Sequence, residues 1–217
     1  PQILMLSGIG PESDLNELGI RVAHDLPGVG QNYQDHANVT LTYEGAEGFN
    51  PDWLVGGFRM TYKSNPSLVN ADFHIFLRAP INVEGLRPMM PITANLIEQR
   101  SRGRVRLAST NAHDLPVIDD GLLQHPDDLA AMLRAMHFID ELVDHESMKA
   151  YFGSIMQPAL GEDWEEFALT TYDCYHHGVG TCMMGTSADP MAVVDGKLRV
   201  RGIDNLYVAD ASIMPTV

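Results

Sequence analysis

The chain has 217 residues, of which 45% are hydrophobic and 20% charged, and these ordinary proportions exclude wholesale disorder. Its formal net charge of −15 at pH 7 disfavours nucleic acid and anionic membranes as partners, because the summed field repels both. No apolar run reaches the roughly 20 residues that a membrane span needs, and residues 1–10 lack the basic start of a signal peptide. A soluble protein is therefore expected, cytoplasmic rather than secreted.

The start of the chain predicts two short helices and a loop. An apolar helix is broken at Gly8 and Gly10, and a second helix begins near Pro11 and ends at Gly19. The segment "LPGVGQNYQDH" at 26–36 predicts a glycine-bounded loop, and loops of this kind often contact ligands.

The middle of the chain predicts a sheet. Residues 37–43 alternate apolar and polar side chains, which is the period of a half-buried strand. A helix is expected near 51–62 and a loop at 80–91. Several strands in succession favour antiparallel pairing, and further strands are predicted at 71–79, 92–98 and 103–109.

Helices are predicted after these strands. From Pro126 to Val143 apolar residues recur at three- and four-residue steps, as on the packing face of an amphipathic helix. A weaker acidic helix is expected over 161–173, and two short strands around a turn at 201–204. The sequence thus predicts an α+β fold in which helices back an antiparallel sheet.

The segment "YDCYHHGVGTCMMG" at 172–185 carries the most chemistry. Its two histidines and two cysteines suit zinc as residue types, but the usual C-x-x-C and H-x-x-x-H spacings are missing, which disfavours a metal site. A structural interpretation places the cysteines in the core and the glycines in a tight turn, and it remains open.

The glycines beside the histidines favour a cofactor over a purely structural role. Gly178 and Gly180 leave bare backbone that a planar ligand can approach. The imidazole of His176 or His177 is suited to proton transfer near neutral pH. Hydrolase and nucleotidase functions are disfavoured, because the sequence has no serine elbow and no phosphate-binding glycine motif.

Four sequence blocks, taken in order, resemble a known family. They are "PQILMLSGIGP", "LPGVGQNYQDH", "SRGRVRLASTNAHDLPVID" with "HPDDLAAM", and "HGVGTCMMG" with "AVVDGKLRVRGIDNLYVADASIMP". Together they resemble the carboxy-terminal portion of glucose-methanol-choline (GMC) oxidoreductases, which are flavin-dependent alcohol oxidases and dehydrogenases.

The resemblance implies a domain organisation. Residues 1–36 would be a segment returning to the FAD-binding domain, and 37–175 would form the substrate-binding domain. Residues 176–217 would supply the active-site loop and a carboxy-terminal segment of the FAD-binding domain, which is incomplete within these residues.

The same resemblance implies the site residues. His177 would lie at the flavin and help to take the hydroxyl proton while a hydride passes to the cofactor. His176 is the second choice, because the doubled histidine leaves a one-residue ambiguity and the family's usual proline is replaced by glycine. No metal is expected, and FAD would contact Asn32, His36, Gly178, Val179, Asp210, Ala211 and Pro215.

The implied function is FAD-dependent oxidation of the CH–OH group of a small-molecule alcohol. The family's amino-terminal FAD-binding region, with its G-x-G-x-x-G fingerprint, is missing here. The chain alone is therefore expected to be inactive, to retain little FAD and to expose apolar surface that favours association, including a homo-oligomer. A non-catalytic binding or structural module and a lyase on the same scaffold remain as alternatives.

The substrate is not determined by the sequence. A pocket lined by 71–79, 80–91 and 92–98 would accept an apolar or aromatic alcohol as readily as a sugar. The net charge mildly favours neutral or cationic substrates.

Overall fold

The computed structural model describes residues 1–53 and 57–217, and its fold class is α+β, as predicted. The α-helices lie at Gln2–Leu6 (α1), Glu12–Glu17 (α2), Pro126–Asp144 (α3) and Trp164–Thr171 (α4). The strands lie at Ile9–Gly10 (β1), His24–Asp25 (β2), Ala37–Gly45 (β3), Phe58–Tyr62 (β4), Phe73–Leu77 (β5), Met89–Leu96 (β6), Arg104–Arg106 (β7), Val117–Asp119 (β8), Phe152–Gln157 (β9) and Asp173–Cys174 (β10).

The chain divides into two compact units. The first unit comprises Pro1–Asp35, Ser101–Leu122 and His176–Val217, and the second comprises His36–Arg100 and Leu123–Tyr175. Residues 101–122 fall within the predicted domain 37–175, yet they pack with the first unit. Assignment of the units to FAD and substrate binding stays a prediction.

An antiparallel sheet of six strands forms the centre of the second unit. Its order is β10-β3-β6-β5-β4, and β9 also pairs with β3. Side chains alternate between the two faces of a strand. On the face toward α3, Leu41, Ile92 and Ile75 are fully buried, and the Tyr43 hydroxyl donates to Asp140 of α3 at 3.1 Å.

Helix α3 has the bounds that its sequence predicts. Pro126 occupies its first turn, and the His125 side chain accepts a hydrogen bond from the backbone N–H of Asp127 at 3.2 Å. Asp128 is buried and accepts the backbone N–H of Arg100 at 2.9 and 3.0 Å. The buried stripe of the helix includes Ala131, Met132, Ala135, Met136, Ile139 and Val143.

The first unit has little regular structure around one apolar cluster. The two-residue strands β1 and β2 pair in parallel, and β7 pairs with β8 as an antiparallel hairpin. Helices α1 and α2 have their predicted places, and α2 ends just before Gly19. The buried cluster contains Leu4, Met5, Ile9, Leu15, Leu26, Val29, Leu107, Cys182, Val193, Val194 and Val200.

Several predicted elements are wrong. The helix expected near 51–62 is a single 3₁₀ turn at Pro51–Trp53 and the strand β4, and the part at 54–56 lies outside the described residues. The loop expected at 80–91 ends early, because β6 begins at Met89. Of the strand expected at 103–109 only β7 forms, and it belongs to a separate two-stranded sheet.

The two strands expected near the carboxy-terminal end do not form either. That stretch makes isolated bridges, in which Arg199 pairs with Tyr207 and Val194 pairs with Val200. In the part of the chain that is described, no helix combines the length and the apolar composition required to cross a bilayer.

Candidate active site

The histidine-glycine segment of the first unit lies beside the predicted ligand loop. Val179 and Gln34 exchange both backbone hydrogen bonds, at 2.9 and 3.1 Å. The backbone N–H of Gly30 donates to the carbonyl of Thr181 at 2.8 Å. These bonds fix the register between two segments that are about 150 residues apart in sequence.

The other edge of the same segment bonds to the carboxy-terminal stretch. Cys182 donates its backbone N–H to the carbonyl of Ser212, and Met184 donates to Ile213, both at 2.8 Å. Three motif blocks of the sequence therefore lie side by side in one unit.

The side chain of Gln34 joins these blocks a second time. It is 1% exposed, and its Nε2 donates to the carbonyl of Pro215 at 3.0 Å and to that of Asn32 at 3.4 Å. Because the same residue pairs with Val179 through its backbone, Gln34 ties the loop, the histidine segment and the carboxy-terminal stretch together. Sequence reasoning missed this residue, although it lies inside the quoted block 26–36.

Both candidate histidines have exposed side chains. His176 adopts a left-handed backbone conformation, with φ at 64°, which is uncommon for a residue other than glycine. The next residue, His177, donates its backbone N–H to Oδ1 of the buried Asp35 at 3.0 Å, and the Tyr33 hydroxyl lies 3.3 Å from the other carboxylate oxygen. Asp35 therefore anchors the backbone of the turn that carries the two exposed histidines.

Glycine occupies positions 178 and 180 of the segment for different structural reasons. A Cβ at Gly180 would lie 2.2 Å from the carbonyl oxygen of Asn32, and its φ of +92° excludes most other residues, so glycine is required for packing. Gly180 is buried, whereas Gly178 is exposed. A Cβ at Gly178 would lie 3.0 Å from the ring of Tyr33, so that ring backs one side of the bare backbone.

Asn32 uses its amide group within the unit. Its Oδ1 accepts from Nε of Arg102 at 3.1 Å, and its Nδ2 lies 3.3 Å from Sδ of Met183 and 3.5 Å from the carbonyl of Gly180. Asn32 also has a left-handed backbone, with φ at 61°. No periodic pattern in the sequence indicates Arg102, because its contact with Asn32 depends on tertiary structure.

Asp210 caps a short 3₁₀ turn at Ala211–Ile213. It accepts hydrogen bonds from the hydroxyl and from the backbone N–H of Ser212, the latter at 2.9 Å, and these bonds hold the pKa of Asp210 below its usual range. Asp210, Ala211 and Pro215 are all exposed.

The other predicted site residues, Val179 and His36, are not on the exposed part of the histidine segment. Val179 is 6% exposed and both of its backbone polar groups are bonded to Gln34. His36 belongs to the second unit, where its ring meets that of Tyr175 edge-on at 6.2 Å between centroids. Cys182 is fully buried in the apolar cluster, in agreement with the structural interpretation of that residue. Among residues 1–53 and 57–217, no three His, Cys, Asp or Glu side chains are grouped to hold a metal ion.

The donor set of this site suits a planar ligand with polar edges. The exposed groups are two imidazoles, the bare backbone of Gly178 and the start of the Asp210 turn. Such a set can offer N–H groups, exchange a proton and lie flat against a ring.

A family profile described as "GMC oxidoreductase" matches residues 99–217, which is more than half of the chain. The chain belongs to the GMC oxidoreductase family. This confirms the resemblance drawn from the motif blocks.

The alcohol dehydrogenase [acceptor] of Pseudomonas putida is 35% identical over 252 residues, covering 100% of this chain and 45% of that protein. The choline oxidase of Arthrobacter globiformis is 33% identical over 234 residues, with shares of 99% and 42%. The chain thus spans less than half the length of these curated relatives.

Solved structures show the same fold at lower identity. Pyridoxine 4-oxidase from Mesorbium loti superposes with a TM-score of 0.82 at 24% identity, covering 99% of this chain and 44% of that one. A variant of formate oxidase from Aspergillus oryzae RIB40 gives a TM-score of 0.83 at 23% identity, with shares of 100% and 48%. These likenesses describe the fold of a GMC protein.

Proposed function

We propose that the protein is an FAD-dependent oxidoreductase that acts on the CH–OH group of a small-molecule alcohol. Family membership supports the reaction class, and two relatives are named for alcohol and choline. The observation that carries the proposal is the ladder of backbone bonds that holds the exposed His177 segment beside residues 212–215.

His177 is proposed as the group that takes the substrate's hydroxyl proton. Its imidazole is exposed, and the backbone bond to Asp35 fixes the place from which the ring projects. FAD, when bound, would supply the hydride acceptor for the carbinol carbon. His176, with its left-handed backbone, remains the second choice for the same role.

The exposed residues Gly178, Asp210, Ala211 and Pro215 are proposed to hold the cofactor. Bare backbone at Gly178 fits a flat ring, and the exposed Asp210 and Ala211 stand at the start of the 3₁₀ turn. Asn32 and Val179 are proposed to act mainly by positioning, because their polar groups are engaged within the unit. His36 is kept as a proposed cofactor contact.

The proton-acceptor role can be tested by replacing His176 and His177 one at a time in the full-length protein. His177→Gln is expected to lower kcat by about 10²–10⁴, the usual contribution of a positioned base. His176→Gln is the matched control and should lower kcat by less than about tenfold. Alcohol oxidation is followed with an artificial electron acceptor over a range of pH.

Other outcomes would identify the alternatives. A larger loss for His176→Gln than for His177→Gln would exchange their roles. Alcohol binding without turnover would favour a non-catalytic module, and turnover without net reduction of an acceptor would favour a lyase.

A further inference from the structure

Asp35 is a buried carboxylate in the first unit that the proposed proton transfer does not use. The residue is 1% exposed, whereas His176 and His177 of the same unit are exposed. Burial of a carboxylate is costly unless hydrogen bonds satisfy its oxygens. The bonds that Asp35 accepts therefore indicate which segment it stabilises.

The carboxylate of Asp35 extends a pair of backbone bonds into the histidine turn. Gln34 and Val179 exchange both of their backbone bonds, at 2.9 and 3.1 Å. Two residues before Val179, the backbone N–H of His177 donates to Oδ1 of Asp35 at 3.0 Å, so a side chain accepts here in place of a backbone carbonyl. A carboxylate accepts more strongly than a neutral carbonyl. The turn is thereby held at its second histidine.

Tyr33 supports the same turn from the same loop. Its hydroxyl donates to Oδ2 of Asp35 at 3.3 Å, and its ring lies 3.0 Å from the place of a Cβ at Gly178. Tyr33 in turn exchanges both backbone bonds with Gly103, at 2.9 Å each. The loop that holds the backbone of His177 is therefore itself fixed by a third stretch of the chain.

The turn depends on such support because His176 has a left-handed backbone. Its φ is 64°, which is unfavourable for a residue with a large side chain. Residues persist in this region where the surrounding bonds over-determine their conformation. Relaxation of His176 to a negative φ would change the path of the chain after it, and with it the direction from which the imidazole of His177 projects.

We propose that Asp35 is a positioning residue for proton transfer. It holds the turn in the conformation in which His177, and not His176, presents its imidazole to the substrate's hydroxyl group. The inference rests on the proposed function, because Asp35 acts through His177 and exchanges no proton itself. Both residues belong to the first unit, so this role needs no contact outside that unit.

The first test measures alcohol oxidation by the full-length holoenzyme. Asp35→Ala removes the acceptor and is expected to lower kcat by about ten- to a hundredfold, with KM within about threefold of the wild type. A displaced base lowers the rate of the chemical step more than it weakens substrate binding. Asp35→Asn keeps an oxygen acceptor of the same reach, and it should lower kcat by only about two- to fivefold.

A double-mutant cycle shows whether Asp35 acts through His177. In His177→Gln protein, Asp35→Ala should lower kcat by less than about a further twofold, because the group that it positions is gone. In His176→Gln protein, Asp35→Ala should cost its full ten- to hundredfold, to within about twofold. An equal cost with and without His177 would overturn the inference. Asp35→Asn in the same cycle covers a failure of Asp35→Ala to fold, because its smaller loss should disappear in the same way.

Asp128→Ala is the matched control. Asp128 is also buried, at 3% exposure, and accepts the backbone N–H of Arg100 at 2.9 and 3.0 Å, but it belongs to the second unit. Its replacement should lower the urea midpoint of unfolding and leave kcat of the folded protein within about twofold of the wild type. A dependence on His177 as strong as that of Asp35→Ala would overturn the inference.

Hydrogen exchange separates this inference from the proposed function. The backbone N–H of His177 is followed by NMR in ¹⁵N-histidine-labelled protein, and its signal is identified by its loss in His177→Gln. Asp35→Ala should accelerate its exchange by about tenfold or more, and Asp35→Asn by less than about threefold.

The two measurements together distinguish the possible failures. Accelerated exchange in Asp35→Ala, in a protein whose kcat is unchanged by His177→Gln, would uphold the hold of Asp35 on the turn and contradict the proton-acceptor role of His177. A kcat that falls in His177→Gln, with unchanged exchange of the His177 N–H in Asp35→Ala, would uphold the proposed function and overturn the inference.

Discussion

Asn32 combines a strained backbone with a side chain that bonds in two directions. Its φ of 61° lies in the left-handed region, which asparagine tolerates better than most residues. Its Oδ1 faces Arg102, and its Nδ2 faces Met183 and the carbonyl of Gly180. The residue therefore ties the segment that carries the histidines to the loop beside it.

Variants of Asn32 separate backbone strain from side-chain bonding. Asn32→Gly keeps the left-handed backbone and removes the side-chain amide, so the backbone N–H groups of Val179 and Gly30, which donate to Gln34 and Thr181, are expected to exchange about five- to tenfold faster, for a loss of about 1 kcal/mol. Asn32→Ala should add about 1 kcal/mol of strain to that loss. Asn32→Asp keeps the acceptor toward Arg102 and loses the donor. Hydrogen exchange measures all three.

Asn205→Gly is the control for Asn32→Gly. Asn205 has the same left-handed φ, at 60°, and lies exposed in the same unit. Its replacement should leave the exchange of Val179 unchanged. Unchanged exchange in Asn32→Gly as well would show that the side chain does not position the histidine segment.

At the residue scale the motifs indicate which segments contain the candidate residues, but they do not indicate the bonds that join those segments. Local motif blocks contain His177, Gly178 and the 210–215 stretch, and the structure places these segments next to each other. The motifs do not indicate the role of Gln34, because it depends on register between segments far apart in sequence. No local pattern encodes such a register.

One hydrogen bond joins the sheet of the second unit to its longest helix. The Tyr43 hydroxyl on β3 donates to Asp140 on α3 at 3.1 Å. Tyr43 is 1% exposed, and burial, together with the nearby Asp140 carboxylate, raises the pKa of its phenol well above the usual range. The neutral phenol is therefore the form that the folded state keeps.

The consequence is a loss of stability in alkali. The unfolded phenol releases its proton near its ordinary pKa of about 10, while the folded one keeps it, so the unfolding free energy falls by up to about 1.4 kcal/mol per pH unit above that point. Tyr43→Phe is expected to cost about 1–3 kcal/mol at pH 8, because it leaves Asp140 without this donor. The same variant should lose less stability than the wild type between pH 10 and 11. Urea unfolding at each pH measures both effects.

Tyr207→Phe is the control, because that side chain is 58% exposed. It should follow the wild type at every pH. If the unfolding free energy falls equally steeply with pH above 10 in Tyr43→Phe and in the wild type, the raised pKa of Tyr43 is not the cause of the alkaline loss of stability.

Elements with strong local signals were predicted, and those defined by their partners were not. Helix α3 follows from its proline start and its apolar period, and both are visible in the sequence. The sequence predicts a helix where strand β4 forms, because the alternation of β4 is short and its place depends on pairing with β5 and on the stacking of Tyr62 against Phe138. The short strands β8, β9 and β10 were missed for the same reason.

At the scale of the whole molecule, the first unit is built from three separate stretches of chain. The hairpin of β7 and β8 belongs to it because Gly103 exchanges both backbone bonds with Tyr33, and Val105 donates to Gly30. The predicted domain 37–175 is continuous in sequence. Chain order alone does not show that residues 101–122 pack with the first unit. Composition did predict that enough apolar residues exist for a core, and each unit has buried ones.

The 217-residue chain by itself is expected to retain little FAD. The contacts proposed here lie at the flavin half of the cofactor, and the sequence contains no glycine fingerprint for the pyrophosphate, which contributes much of dinucleotide affinity. Absorbance near 450 nm after gel filtration measures retention. Stoichiometric flavin on the purified chain would contradict this expectation.

The three-stretch construction of the first unit also bears on how the protein matures on the ribosome. Synthesis is vectorial, so Cys182 and Met184 emerge before Ser212 and Ile213, to which their backbone N–H groups bond. A nascent chain halted between them would display both histidines on a segment with only one of its two flanking partners. Pairing of the histidine segment with residues 212–213 therefore follows synthesis of the six-stranded sheet, whose last strand ends at Cys174.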